Sequence, residues 1–208
     1  MTLNILTLIL FTTVAISVMA FNNQKTMNKM MFIPYKVKHN SDYMRVFSHV
    51  LIHADYGHLL FNMISLYYLG NGLLNFHGGL VSEFGVFGGQ FHFLMLYILG
   101  GLFATLIPYG RNQDNPNYRS LGASGAVSAV IFAAIIWHPS IKLNLMFIPI
   151  DIPAYIFGPL YLLYEFYQDK RGNTGIAHDA HIGGAVFGIV YVLIINIDKG
   201  IEFINYIF

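Results

Sequence analysis

Four side chains in this 208-residue chain are of the types that together perform acyl transfer: Ser124 in "GASG", His181 in "AHIGGAVFG", and His58 with Asn62 in "HADYGHLLFN". A serine hydroxyl is a weak nucleophile until a neighbouring base takes its proton, and neutral histidine is the usual base near neutral pH. Ser124 and His181 suit those two roles. Attack on an amide carbonyl creates an oxyanion, which needs donors already in place. The His58 imidazole, the Asn62 amide and the backbone N–H of Ser124 are the candidates for that oxyanion hole, helped by the positive dipole end at the start of the helix that carries Ser124. No acidic residue lies in the apolar stretches that carry these groups, and Asp179 stands just outside, two residues before His181. The pattern therefore predicts a Ser-His dyad rather than a triad.

Each residue also has a plainer use. Small residues let helices approach, so Gly122, Gly125, Gly184 and Gly188 are read as packing residues near the site, and Ser124 alone would fit the same description. A lone His58 or His181 near a helix end could turn its ring to the headgroups. His58 and Asn62, four apart, share a helix face and could simply hydrogen-bond between helices.

The elements that would position these groups follow from composition. With 56% hydrophobic and 10% charged residues, and a mean hydropathy of +0.57, the chain has too little polar surface for a soluble globule. The expected class is an all-α polytopic membrane protein. Six apolar segments approach the roughly 20 residues that cross a bilayer: Leu3 to Phe21, His58 to Leu74, Phe87 to Pro108, Leu121 to Trp137, Leu143 to Tyr167 and His178 to Ile197. The second, fourth and sixth run in one direction, so their N-terminal ends, with His58, Ser124 and His181, share one membrane face. Ionisable groups at such depth usually face the bundle interior and mark function. Pro149, Pro153 and Pro159 interrupt the fifth segment, leaving an interfacial piece and a short crossing from near Ile152.

The polar stretch of about residues 22–57 is the long first loop, and its "MRVFSHVLIH" is expected on the bilayer surface. The whole chain, 1–208, reads as one domain, with no repeat or low-complexity tract. "SVMA" offers signal peptidase a site after Ala20, but no basic residue precedes the apolar run, so it is taken as a retained crossing. A net charge of +1 without basic runs suggests no nucleic-acid partner, and zero cysteines exclude disulfides and cysteine nucleophiles.

"HADYGHLLFN", "GASG" and "AHIGGAVFG", in that order on the second, fourth and sixth segments, resemble the signatures of rhomboid intramembrane serine proteases over about Arg45 to Asn196. The resemblance implies a six-helix bundle that cleaves transmembrane substrates just inside the bilayer, with no cofactor and no metal. It implies Ser124 as nucleophile, His181 as base, His58 and Asn62 on the oxyanion side, and Gly184 as the small residue that lets the sixth helix approach the fourth. A mobile fifth helix would correspond to Ile152 to Tyr167, and a cap to Asp169 to Asp179. The chain departs from many relatives at Ser128, where an aromatic residue often packs on the catalytic imidazole, at Met44-Arg45 for Trp-Arg, and at Leu74 for an acid.

The resemblance also implies a multi-pass protein of the bacterial cytoplasmic membrane, its site opening to the extracytoplasmic side. Loop charges oppose that orientation: Lys25, Lys29, Lys36, Lys38, Arg45, Arg111, Arg119, Lys170 and Arg171 fall on the site's side, against Lys142 and Lys199 on the other. Two rival functions remain on sequence grounds. One is an inactive relative that binds membrane clients. The other is a metal-binding protein using His49, His53, His58, His178 and His181, whose spacings allow a cluster but leave Ser124 unexplained.

Overall fold

A helix that is apolar all round must be buried all round, and the segment after Ser124 shows it. The computed structural model describes residues 4–144, 151–172 and 175–208, in eleven α-helices and one small hairpin among the described residues. In chain order the helices are α1 (Ile5–Phe21), α2 (Gln24–Met30), α3 (Pro34–Asn40), α4 (Arg45–Ser48), α5 (Tyr56–Asn75), α6 (Leu80–Ala104), α7 (Leu106–Asn112), α8 (Ser124–Trp137), α9 (Ala154–Arg171), α10 (His178–Ile195) and α11 (Ile197–Ile207). The hairpin pairs β1 (Lys142–Asn144) with β2 (Asp151–Pro153), Leu143 opposite Ile152.

Every residue of α8 from Gly125 to Trp137 is buried except Ile131. At about 1.5 Å per residue its 14 residues span about 21 Å, less than the ~30 Å of a hydrocarbon core. The centre of the bundle is thus a helix shorter than a full crossing, with Ser124 as its first residue. The chain leading into it is partly buried, so its backbone groups need partners within the protein. It does so against the first loop: Phe32 and Ser120 exchange backbone hydrogen bonds at 2.9 and 3.0 Å, and Gly122 N–H donates to the His49 carbonyl at 3.0 Å.

The first loop is therefore structural. It folds into α2, α3, α4 and a 3-10 turn at His49–Leu51. Buried Arg45 donates to the carbonyls of Asn28 and Met31, both at 2.8 Å, and pairs with Asp42 at 2.6 Å. The stretch expected on the bilayer surface is two-faced: Ile52 and His53 are buried, while Met44 and Phe47 face outward.

Around α8 the neighbouring helices approach through small residues. A Cβ at Gly184 of α10 would overlap the Gly125 carbonyl, one at Gly188 the Ala129 carbonyl, and one at Gly125 the Ala104 side chain of α6. On the outer side α1 buries Leu6, Ile9, Thr13, Ser17 and Ala20, one helical stripe. Large apolar side chains such as Phe11, Phe61, Phe87, Leu163 and Ile194 point away from the bundle, as a lipid-facing surface requires.

Two stretches, Leu80–Asn112 and His178–Ile195, are long and apolar enough to cross a membrane, and Ile5–Phe21 and Ser124–Trp137 are shorter apolar helices. All six expected segments coincide with helices, with three differences. Gly85, at φ 72°, breaks α6, so its long part begins beside the expected Phe87. The fifth crossing starts at Ala154, close to the expected Ile152, but runs on to Arg171 through Pro159; Pro149 lies outside the described residues. After α10 the chain forms α11, with Ile197, Ile201 and Ile204 exposed, which the sequence reading had not separated.

Candidate active site

Ser124 is the first residue of α8 and His181 lies in the first turn of α10. The two helices run side by side because Gly184 and Gly188 put no side chain between them. The hydroxyl of Ser124 and Nε2 of His181 consequently meet at 2.7 Å. Both residues are partly buried, at the N-terminal ends of two apolar helices.

His58 and Asn62 lie in the first two turns of α5, whose start is capped by Asp55 accepting the His58 N–H at 2.8 Å. The His58 ring lies against Gly122, where a Cβ would come within 2.6 Å of Cε1, and Gly122 has φ +118°. Only glycine fits there, on both sterics and backbone. Gly122 thus sits in the loop before α8, making room for an imidazole, whereas Gly125, Gly184 and Gly188 lie in helix contacts. The Asn62 amide donates to the His58 carbonyl at 3.0 Å, which leaves its second N–H for another acceptor.

His53 holds the same loop from the other side. Its Nε2 accepts the Ala123 N–H at 3.3 Å, so Nδ1 carries the proton and donates to Ser17 Oγ at 3.0 Å; Ser17 in turn donates to the Leu51 carbonyl at 2.9 Å. Burial, then the neighbouring His58, push His53 down to about 3, and burial pushes His49 down to about 4. Both are neutral at neutral pH.

Behind His181 stands an acid that the sequence reading missed. Glu165 of α9 is buried, with Oε2 2.6 Å from Nδ1 of His178 and 3.0 Å from Nδ1 of His181. The first contact is an aligned hydrogen bond. The second has ion-pair distance without hydrogen-bond alignment, so Nδ1 of His181 is buried without a formed hydrogen bond. The signal for Glu165 was available in its phase: Ala154, Gly158, Tyr161 and Glu165 recur at spacings of four, three and four, one helix face directed at α8 and α10. The fifth segment carries none of the three motifs, so this phase alone tied Glu165 to the site.

At the place where an aromatic residue was expected to brace the imidazole, Ser128 lies 3.3 Å from the Tyr161 hydroxyl. The ring against His181 is instead His178, edge-on with centroids 6.0 Å apart. Among the described residues, the group able to hold a metal is Glu165, His178 and His181, whose ligand atoms lie within 4.8 Å of one another. The five-histidine cluster considered above does not assemble as one set: His49 Nδ1 faces the Arg45 carbonyl, and both nitrogens of His53 are engaged.

A serine and a histidine in hydrogen-bond contact at the start of a short buried helix, with His58 and Asn62 on the neighbouring α5, are the residues that the three motifs singled out. The Rhomboid domain family model matches residues 40–197. The chain is 31% identical over 185 residues to RHOMBOID-like protein 12, mitochondrial, of Arabidopsis thaliana, covering 82% of this chain and 51% of that protein. It is 27% identical over 151 residues to the human presenilin-associated rhomboid-like protein, mitochondrial, covering 67% of this chain and 35% of that one. It is 25% identical over 182 residues to rhomboid protease AarA of Providencia stuartii, covering 77% and 60%. The chain thus spans about half the length of the plant relative and about a third of the human one. With the family's domain matched across most of its length, and its helices arranged as a polytopic membrane bundle, this chain belongs to the rhomboid family.

Proposed function

We propose that this chain is an intramembrane serine endopeptidase that cleaves transmembrane protein substrates, with Ser124 as nucleophile and His181 as base. The observation that carries the reading is the 2.7 Å contact between Ser124 Oγ and His181 Nε2 at the N-terminal end of α8. As Oγ bonds to the scissile carbonyl carbon, its proton passes to Nε2 and the carbonyl electrons move to oxygen. That oxyanion would be met by the Ser124 N–H, the His58 imidazole and the Asn62 amide. The His181 proton then goes to the leaving amine, and water repeats the sequence on the acyl-enzyme. One relative is named a protease, which supports this chemistry at the family level.

Relatives named rhomboid-like keep a second reading, an inactive client-binding membrane protein. Labelling with a serine-directed fluorophosphonate separates the two: a protease labels, and Ser124→Ala does not. An unlabelled wild-type chain that still binds transmembrane segments would establish the client-binding reading. For location we propose a multi-pass protein with the site opening away from the cytoplasm. Relatives carrying mitochondrial names set a mitochondrial membrane beside the bacterial one expected from sequence, and fractionation with a tagged chain decides between them.

A further inference from the structure

The sequence pattern predicted a dyad, yet a buried carboxylate lies on the far side of the His181 ring. We propose that Glu165 is a positioning residue for His181, making the working unit Ser124–His181–Glu165; this rests on the nucleophile-base reading above.

The argument starts from donors and acceptors. When Nε2 of His181 faces a hydroxyl that must give up its proton, Nε2 must be the unprotonated nitrogen, so Nδ1 carries the hydrogen. Once the proton of Ser124 arrives, both ring nitrogens are donors and the ring is cationic. A buried Nδ1–H without an acceptor is costly. The acceptor set beside it is Glu165 Oε2 at 3.0 Å, an oxygen that needs only a small change of angle to align. Ionised, it holds the required tautomer and faces the imidazolium as that forms. Its own charge does not change: the proton moves from Oγ to Nε2 and later to the leaving nitrogen, and Glu165 stays a carboxylate throughout.

A purely structural role for Glu165, tying α9 to α10 through His178 at 2.6 Å, explains one of its two contacts. It leaves unexplained why the same oxygen sits beside Nδ1 of His181. The position is also fixed by packing one and two turns earlier, where Tyr161 reaches Ser128 and Gly158 fits against Phe132 and Ile135 of α8. The helix that bears no other part of the site therefore sets the geometry of its base.

The test uses the full chain in detergent: fluorophosphonate labelling rates, steady-state cleavage of a transmembrane substrate, and thermal unfolding. The variants are Ser124→Ala, His181→Ala, Glu165→Gln, Glu165→Asp and Glu165→Gln with His181→Ala. Glu165→Gln is expected to lower kcat and the labelling rate by about 10²-fold, the low end for assistance to a general base, with KM changed far less. On a His181→Ala background it should change nothing further, because the residue acts through that ring. Glu165→Asp, which keeps the charge on a shorter stem, should retain more activity than Glu165→Gln even where both lower the unfolding midpoint. Ser124-dependent labelling that Glu165→Gln leaves at the wild-type rate overturns the role of Glu165 alone. So does an equal further loss of the residual labelling rate on the His181→Ala background, or a Gln variant at least as active as the Asp variant. Wild-type labelling no faster than that of Ser124→Ala overturns the nucleophile reading, and the role of Glu165 with it.

Discussion

Gly184 of α10 faces the carbonyl of Gly125 so closely that a Cβ would overlap it, and these are the residues three beyond His181 and one beyond Ser124. The distance between Ser124 and His181 is therefore set by a backbone contact between two helices. Gly184→Ala must push α10 away from α8 at the level of the site. Forcing a methyl group into a full interface typically costs about 1–3 kcal/mol. The expected outcome is a protein of lowered unfolding midpoint whose activity falls further than its folded fraction; equal losses would show that the contact serves stability alone.

Replacing either member of the pair should end turnover. Ser124→Ala and His181→Ala are each expected to abolish cleavage of a transmembrane substrate while leaving the chain folded and inserted. Substantial cleavage by purified Ser124→Ala would sink the serine mechanism.

Metal chelation should have no effect on cleavage, since Glu165 is accounted for by its hydrogen bond to His178 and its ion-pair contact with His181. Its three ligand atoms are nonetheless close enough for a metal. Inhibition by EDTA or phenanthroline that zinc reverses would reassign the cluster.

His58 and Asn62 should act on the transition state more than on substrate binding. Removing one oxyanion donor typically lowers the rate by about 10²–10³-fold. Single alanine variants are expected near the low end, because the Ser124 N–H and the other donor remain, and the double variant should cost less than the product of the two. A His58→Ala or Asn62→Ala enzyme that cleaves at the wild-type rate would return the residue to a structural role. The same follows if activity merely tracks folding.

His53 and His49 should make stability depend on pH. Their folded values, about 3 and about 4, lie below the usual 6.5, so the unfolded chain binds more protons between those limits. Stability contributed by the neutral rings is complete above pH 6.5 and is lost as pH falls toward 4 and 3. The unfolding midpoint in detergent should drop across that window. His53→Gln, which cannot titrate, should flatten the drop while reducing activity through the loosened Ala123 N–H; an unchanged slope would show that the ring is not buried as described.

A reporter fused after Phe208 tests the orientation. The chain passes from His181 along α10 to α11, which puts the C-terminus at the end of the bundle away from the site. A cytoplasmic reporter gives a site opening outward. A reporter on the other face would show that the loop lysines and arginines govern insertion and that the site faces inward.

The sequence by itself determined the membrane class and the six helical segments, and it singled out Ser124, His181, His58 and Asn62 near the starts of three of them. These depend on features local in the chain: apolar runs of spanning length and the common direction of alternate helices. Even the start of the fifth helix near Ile152 was legible from its prolines. Glu165 and the His53 bond to Ala123 were decided only by the tertiary structure. They join residues 16 and 70 positions apart across different helices or loops, and which face of α9 meets α10 depends on how Gly158 seats against α8. The same is true of Gly122. Its place in a run of small residues suggested helix packing, but its positive φ and the His58 ring above it arise only once α5 is laid over the loop that enters α8.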